Sequence, residues 1–361
     1  METCKAAVIT GFNDPTEMRD VQMPDLEPTG LLVEVEAATL CGTDVHIWHN
    51  AANPKMLPYI PGHETAGRIV ALNGERYDVH GRQLREGDRI VSAYRFCGHC
   101  FYCSVSNQPS LCDDSIRFGR GRADVSPYLL GGCAEYHYIP PGTAIIPIPD
   151  EVTSPQAASA ACALRTVMHG FERLGPIYPH DTVVVQGSGP VGLYASAVAR
   201  DRGAGRVLVI GAPRVRLDVA EAWGADETLD IGEMPDARDR HEWVMERTGG
   251  RGADVAIQCV SFAVIPEGLG FLRPGGRYLS IGGGGGPVSI NGFGQQVTIV
   301  SVRSGEGRHY HQALEFLRTR GESVPFARML SRPYSLDETS DALHAMADFR
   351  EVKTVILPHG N

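Results

Sequence analysis

Four cysteines lie close together in this chain, and their spacing is typical of a structural zinc site. They are separated by two, two and eight residues, so short loops can fold their thiolates around one tetrahedral ion. Because four cysteines leave no coordination position for a substrate, the ion is expected to stabilise a lobe at about residues 94–113. The alternative is a disulfide pair, but cysteines two residues apart bridge poorly and no secretory signal is evident. The predicted ligands are Cys97, Cys100, Cys103 and Cys112.

A second set of metal-capable side chains is scattered along the sequence. Cys41 lies in the run Cys-Gly-Thr-Asp-Val-His, His63 and Glu64 lie in Gly-His-Glu-Thr-Ala-Gly, and Cys162 comes much later in the chain. Ligands from distant elements are typical of a catalytic site, since three protein ligands leave a fourth position for water or substrate. Each residue also has a plainer interpretation, as a small buried cysteine or a histidine at a strand end. Together they predict a catalytic metal site.

The elements that must position these residues fall into two parts. Up to about residue 155, short β-favouring runs between turn residues favour a small antiparallel barrel. From residue 182, apolar strands alternate with helical patterns, which predicts a parallel sheet and an α/β protein. The predicted strands are Ala6–Ile9, Leu31–Glu36, Gly67–Leu72, Arg89–Ala93, Thr182–Gln186, Arg206–Ile210, Asp254–Cys259, Arg277–Ile281 and Thr354–Leu357, and the predicted helices are Leu193–Arg202, Arg216–Trp223 and His309–Arg320.

A glycine-rich turn joins the first strand of the parallel part to its first helix. In this position the first glycine permits a tight turn, the second lets the backbone approach a pyrophosphate, and the third brings helix against strand. A glycine turn in an α/β domain that binds no nucleotide is the alternative. The predicted dinucleotide turn is Gly187, Ser188, Gly189, Pro190, Val191 and Gly192.

The acidic residue that normally ends the second strand and holds the adenosine ribose is missing. Gly211 stands in its place, and Arg214 comes three residues later, within reach of a 2′-phosphate. The sequence therefore leans towards NADP over NAD. The alternative is that Arg214 points to water and the chain uses NAD through backbone contacts.

Composition excludes several other classes of protein. The chain has 361 residues, 43% hydrophobic and 21% charged, which suits a two-domain globular enzyme. A formal net charge of -10 argues against a nucleic-acid partner, because such proteins present basic surfaces to phosphates. No stretch is apolar for long enough to cross a membrane, and we expect a cytoplasmic protein.

In their order along the chain, these motifs resemble those of the zinc-dependent medium-chain alcohol dehydrogenases, with threonine and sorbitol dehydrogenases. The resemblance covers nearly the whole sequence, and it includes the run Gly131-Gly-Cys-Ala-Glu-Tyr and the pattern Cys162-x-x-x-Thr166. It implies a GroES-like β-barrel catalytic domain at residues 1–155 and 303–361, and a Rossmann domain with a doubly wound parallel sheet at 156–302. It also implies a small-molecule alcohol or carbonyl substrate, two zinc ions per chain, NAD(P), and a homodimer or homotetramer.

The resemblance assigns roles to individual residues. It makes Cys41, His63 and Cys162 the ligands of the catalytic zinc, with Glu64 beside the metal. Thr43 corresponds to a relay hydroxyl and His46 to an outer base that passes the proton to solvent. Thr166 and Lys353 are assigned to the cofactor, and Lys353 to its pyrophosphate.

The substrate pocket is less well specified. Ala93 stands where some relatives have a bulky aromatic residue, which favours a branched or cyclic secondary alcohol. Two other functions fit the same fold: a zinc-free quinone or enoyl reductase, and a non-catalytic nucleotide-binding protein. Neither of these functions requires the predicted metal ligands. The predicted lining residues are Trp48, Ala93, Tyr94, Ile116 and Phe118.

Overall fold

The computed structural model of this protein describes residues 2–49, 54–290 and 295–360. It divides into two compact units. The first comprises residues 1–162, 305–321 and 329–361, and the second comprises residues 163–304 and 322–328. These borders differ from the predicted ones at 155/156 and 302/303, because the segment after residue 155 continues a helix that packs on strands of the first unit.

The first unit is built on strands that are mostly antiparallel. One seven-stranded sheet has the order β14-β15-β3-β4-β5-β7, with β6 also paired to β3, and β1 and β2 form a separate hairpin. Long β3 is buried along most of its length, which places it at the centre of the sheet. The strands are β1 (Thr3–Val8), β2 (Glu17–Gln22), β3 (Leu31–Thr39), β4 (Glu64–Leu72), β5 (Arg89–Arg95), β6 (Tyr136–Ile139), β7 (Thr143–Pro147), β14 (Leu330–Tyr334) and β15 (Lys353–Ile356).

The helices of the first unit are short, apart from α9. A capping box starts α3, where Thr153 accepts from the backbone of Gln156 and the Gln156 side chain accepts from the backbone of Thr153. The helix then runs into a π-turn at Ala160–Leu164, which contains Cys162. The helices are α1 (Gly42–His49), α2 (Phe101–Ser104), α3 (Ser154–Ser159), α9 (Gly307–Arg320) and α10 (Thr339–Ala347), with 3₁₀ turns at Pro54–Met56 and Pro109–Leu111.

The second unit is a six-stranded parallel sheet in the order β10-β9-β8-β11-β12-β13. This order reverses direction at β8, as in doubly wound dinucleotide-binding sheets, and it confirms the predicted fold class. All of β8 is buried, as expected for a strand covered on both faces. The strands are β8 (Thr182–Gln186), β9 (Arg206–Gly211), β10 (Glu227–Asp230), β11 (Ala253–Gln258), β12 (Leu272–Ser280) and β13 (Thr298–Ser301).

Helices connect the parallel strands. Pro190 occupies the first turn of α5, where a missing N–H costs nothing. In the described ranges, no helix is both long and apolar enough to cross a membrane. The helices are α4 (Arg165–Leu174), α5 (Pro190–Asp201), α6 (Arg214–Ala222), α7 (Ala237–Arg247) and α8 (Ile265–Gly270), with 3₁₀ turns at Phe262–Val264 and Phe326–Met329.

Candidate active site and cofactor turn

The structure brings the four cysteines of the lobe together. Their sulfur atoms all lie within 4.8 Å of one another. Backbone N–H groups point at two of these sulfurs, since Cys97 N–H donates to Cys112 Sγ at 3.4 Å and Cys100 N–H to Cys97 Sγ at 3.3 Å. Such donors stabilise thiolates, and four thiolates at this separation fit one tetrahedral zinc.

The second set of candidate ligands converges as well, although its members come from separate segments. One donor atom from each of Cys41, His63, Glu64 and Cys162 lies within 4.8 Å of the others. Cys41 Sγ is 3.5 Å from His63 Nε2, and the N–H of Thr43 donates to the same sulfur at 3.3 Å. Two sulfurs and one imidazole are the donor set that suits a catalytic zinc, and their two negative charges balance the ion.

Asp44 holds this cluster together, and it is not among the site residues predicted from the sequence. Its Oδ2 accepts from Cys41 N–H at 2.9 Å, and its Oδ1 accepts from Gly62 N–H at 3.1 Å and lies 3.2 Å from His63 Nδ1. Burial alone would raise the pKa of Asp44, but His63 and the two N–H groups hold that pKa to about 2. The carboxylate therefore fixes His63 with Nε2 turned towards Cys41. The available signal was the position of Asp44 in the motif that begins at Cys41.

Glu64 lies at the start of β4 in a buried polar cluster. Lys353 Nζ donates to Glu64 Oε1 at 2.6 Å, and the Thr39 hydroxyl donates to Glu64 Oε2. Burial raises the pKa of Glu64 to about 7, and the Lys353 ammonium opposes this rise. Lys353 is 0% exposed. Its ammonium is thus bound to Glu64, whereas the family resemblance assigned it to the cofactor's pyrophosphate.

The two predicted relay residues share one face of α1. Thr43 is half-buried and His46 is exposed, as a path from an enclosed site to solvent requires. They are three residues apart, a spacing at which helical side chains are neighbours. Their role in proton transfer stays a prediction.

Most of the predicted pocket residues lie together in the first unit. Ala93 is fully buried on β5, and the rings of Tyr94 and Phe118 meet edge to face at 6.0 Å. Ile116 exchanges backbone hydrogen bonds with Arg95, which fixes the loop beside β5. Gly119, next in this loop, packs on His63 so closely that an added Cβ would lie 3.2 Å from the His63 Cβ.

Trp48, the remaining predicted pocket residue, packs between α1 and α10. Its indole N–H donates to the carbonyl of Asp14 at 2.9 Å, and its ring meets His344 edge to face at 4.8 Å. The side chain is 1% exposed within the core of the first unit. Trp48 therefore helps to pack α1 against α10, and it lies in the same buried cluster as Tyr94 and Phe118. Its role as a pocket residue stays a prediction.

The glycine turn of the second unit has the shape that a diphosphate requires. Gly187 has φ +113°, and a Cβ there would lie 2.6 Å from the Val260 side chain. A Cβ at Gly192 would overlap the carbonyl oxygen of Gly187, so both positions exclude larger residues. A Cβ at Gly189 would meet no described atom within 4 Å, which leaves open space where a phosphate would approach the start of α5. Pro190 and Val191 begin that helix, and Thr166 is buried on α4.

The end of β9 explains why the acidic residue is missing. A Cβ at Gly211 would lie 2.5 Å from Ser188 Oγ, so the glycine turn itself occupies the space of a side chain there. Arg214 lies at the start of α6, and its guanidinium binds Asp218 at 2.7 Å and Glu221 at 2.5 Å. It also donates to Thr228 Oγ1 at 3.0 Å.

Two family models match this chain. The model described as alcohol dehydrogenase GroES-like domain matches residues 27–150, and the model described as zinc-binding dehydrogenase matches residues 190–319. The first range contains Cys41, His63, Glu64 and the four-cysteine lobe, and the second range begins at Pro190, within the glycine turn.

Relatives match along the whole length. A 5-exo-hydroxycamphor dehydrogenase from Pseudomonas putida is 33% identical over 99% of this chain and 99% of its own. An erythritol/L-threitol dehydrogenase from Mycolicibacterium smegmatis is 29% identical over 99% of this chain and 98% of its own. The crystal structure of an alcohol dehydrogenase from Thermotoga maritima has a TM-score of 0.92 at 30% identity and covers 99% of this chain and 100% of that chain.

Proposed function

We propose a metal content, a proton path and a substrate class for this chain, from the premise that it belongs to the family of zinc-binding alcohol dehydrogenases. As a member it is an NAD(P)-dependent oxidoreductase that acts on the CH–OH group of its donor and transfers a hydride between an alcohol and the nicotinamide. The convergence of Cys41, His63, Glu64 and Cys162 within 4.8 Å is the observation that carries the proposed function, and the substrate class depends on separate observations.

The proposed metal content is two zinc ions per chain. The lobe cysteines would hold one ion in a closed shell, and Cys41, His63 and Cys162 would hold the other with one position open. Zinc in the open site supplies a Lewis acid that lowers the pKa of a bound alcohol hydroxyl. Glu64, which is fixed by Lys353, lies beside these ligands. Its carboxylate could replace water or substrate at the open coordination position.

Thr43 and His46 are the proposed proton path. The Thr43 hydroxyl would accept the alcohol's proton on the enclosed side as it releases its own, and His46 would take up the released proton and pass it to solvent from the exposed side of the same helix. Replacing His46 with Gln should slow turnover most at low pH, where hydroxide is too scarce to remove the proton directly. An unchanged pH profile of kcat would remove His46 from the path.

The proposed substrate is a bulky or cyclic secondary alcohol. Ala93 has a small side chain, as a wide pocket would require. Tyr94 and Phe118 are proposed as aromatic walls of the same pocket, because their rings meet next to the loop whose Gly119 packs on His63. The name of the Pseudomonas putida relative, 5-exo-hydroxycamphor dehydrogenase, points to a bicyclic secondary alcohol for that protein. This supports the same class here.

A substrate screen tests this proposal. Purified, zinc-loaded protein is offered straight-chain alcohols, polyols, cyclic terpenoid alcohols and hydroxy acids with NAD and with NADP, and formation of reduced nicotinamide is followed. We expect the highest kcat/KM with a cyclic secondary alcohol. Ala93→Val should lower that value about tenfold or more, since each methylene in an apolar pocket is worth about 1–3 kcal/mol, and should change ethanol oxidation less. Equal losses for both alcohols would contradict the assigned pocket.

The zinc-free reductase and the non-catalytic protein are the alternatives. Neither has a use for two thiols and an imidazole held by a buried aspartate, as Asp44 holds His63. A metal assay separates the three functions, because the dehydrogenase requires about two zinc ions per chain and the alternatives require one or none.

A homodimer or homotetramer is proposed as the assembly. Strand β13 lies at the edge of the parallel sheet and pairs with β12 alone among the described strands. An exposed edge strand can pair with a second copy across a two-fold axis.

A further inference from the structure

The guanidinium of Arg214 is held by carboxylates within the second unit. Arg214 Nε lies 2.7 Å from Asp218 Oδ1, a second nitrogen lies 2.5 Å from Glu221 Oε1, and a third donates to Thr228 Oγ1 at 3.0 Å. Thr228 Oγ1 in turn donates to Glu221 at 2.6 Å. All three guanidinium nitrogens therefore have partners on α6 and β10.

These partners show which way the side chain points. Arg214 is the first residue of α6, and Glu221 lies seven residues later, about 10 Å along the helix axis. Thr228 pairs in register with Val209, two residues before the end of β9 at Gly211. The guanidinium thus lies beside Thr228 on the edge strand β10. It points away from the end of β9, where a doubly wound fold holds the adenosine ribose of its cofactor.

The charge around that strand end is negative. Asp230 is the register partner of Gly211 on β10, so a third carboxylate stands next to the position of the missing acid. Arg216, the other basic residue of α6, is 5% exposed and is part of the interior. With the Arg214 guanidinium held elsewhere, the nearby carboxylate of Asp230 disfavours a 2′-phosphate dianion, whereas the neutral diol of NAD carries no such penalty.

We infer that Asp218 and Glu221 make this chain prefer NAD over NADP by holding Arg214 away from the 2′-phosphate. The inference rests on the proposed function, because it presumes that the glycine turn at Gly187 binds a nicotinamide dinucleotide. It reverses the preference for NADP that the sequence predicted, because the sequence showed Arg214 without showing where its guanidinium lies.

Fluorescence titration with NADH and NADPH tests the inference without alcohol turnover. The proteins compared are the wild type, D218N/E221Q, and the triple variant with R214A added. Glu315→Gln is the matched control, because Glu315 is a half-buried partner of Arg318 at 2.7 Å on α9 of the first unit.

The wild type is expected to bind NADH at least tenfold more tightly than NADPH. D218N/E221Q should release Arg214 and so reduce the preference for NADH over NADPH about tenfold or more. Adding R214A should restore the wild-type preference, and E315Q should leave it unchanged. Tighter binding of NADPH than of NADH by the wild type, or an unchanged NADH preference in D218N/E221Q, would overturn the inference. Neither result would contradict the proposed alcohol dehydrogenase function. Failure of the wild type to bind either nucleotide would overturn both.

Discussion

At the scale of single residues, the most consequential side chain is one that would touch no substrate. Asp44 bonds the backbone of Cys41 and Gly62 and the ring of His63, all from a buried position. Partners of this kind fix the orientation of metal-binding histidines. The geometry of the open site therefore depends on Asp44 as much as on the ligands themselves.

Replacing Asp44 with Asn should weaken zinc binding at the open site about 10–100-fold, because Asn cannot offer two carboxylate oxygens to three donors. The measurement is the zinc retained per chain after dialysis against a graded series of chelator concentrations. Asp20→Asn is the matched control, since Asp20 pairs with Lys5 at 2.9 Å on the surface. Retention by D44N equal to that of the control would contradict the role of Asp44.

His137 supplies a second prediction at this scale. It is 1% exposed and packs on Phe118 at 4.5 Å, and its Nε2 has no hydrogen-bond partner among the described residues. Burial lowers the pKa of His137 from 6.5 to about 3. Below pH 6.5 His137 therefore binds a proton in the unfolded chain but not in the folded chain. The stability that depends on neutral His137 is fully present above that pH and is lost as the pH falls towards 3.

The wild type should thus lose about 1.4 kcal/mol of unfolding free energy per pH unit more than His137→Leu between pH 6 and pH 4. Urea unfolding of both proteins at several pH values gives the slope of unfolding free energy against pH for each. In the difference between the two slopes, titrations common to both proteins cancel. Parallel curves would show that His137 is protonated in the folded state.

The residues of both candidate metal clusters were predictable because cysteine spacing and short motifs are local signals. It could not find Asp44 or the Lys353–Glu64 pair in the same way, since their roles come from burial and from contacts between distant segments. The packing of Trp48 against His344 was not predictable for the same reason, because His344 lies far along the chain on α10.

At the scale of elements, the four-cysteine lobe is the part that we expect to depend most on a metal ion. None of the four described residues of α2 is buried, and the lobe otherwise contains only one 3₁₀ turn. Ser110, in that turn, is anchored by hydrogen bonds from its N–H and hydroxyl to Glu306 at the start of α9. Because this segment buries so little apolar surface, we expect it to need its thiolates and a bound ion to stay folded.

Replacing Cys112 with Ser should remove about one zinc ion per chain and make residues 97–112 sensitive to protease. The measurements are metal analysis and limited proteolysis with mapping of the first cleavage. Cys4→Ser is the control, because Cys4 is a buried cysteine outside both clusters. Unchanged zinc content in C112S would rule out the four-cysteine site.

Elements were predictable where their pattern was strong. The buried run Thr182–Gln186 has the bounds that its apolar residues predicted. The sequence Glu-Thr-Leu-Asp of β10 and the polar helix α7 were missed, because β10 has one buried residue, Leu229, and α7 has one, Val244. The π-turn at Cys162 has no recognised sequence signal, yet it sets the direction of a candidate ligand.

At the scale of the whole molecule, the doubly wound sheet and the family were predictable because motif order is preserved along the chain. The borders of the two units were less predictable. Residues 322–328 belong to the second unit, although they follow α9 of the first unit in the sequence. Such a return depends on packing, for example of Phe326 against Trp223, which no local pattern announces.

Assembly is the prediction that belongs to this scale. We expect a solution mass of two or four times 39.0 kDa, and we expect Ile299→Glu to reduce it, because Ile299 is 40% exposed on the edge strand β13. Light scattering at several protein concentrations measures both. A wild-type mass of one chain at all concentrations would exclude the proposed oligomer.

Cys41, His63 and Cys162 are proposed to share one zinc ion that keeps an open coordination position. X-ray absorption at the zinc edge, recorded on C112S so that the lobe's ion is removed, examines this ion directly. We predict two sulfur ligands at about 2.3 Å, with nitrogen or oxygen ligands at about 2.0–2.2 Å completing the shell. A shell of four sulfurs, or a C112S protein without zinc, would contradict the claim.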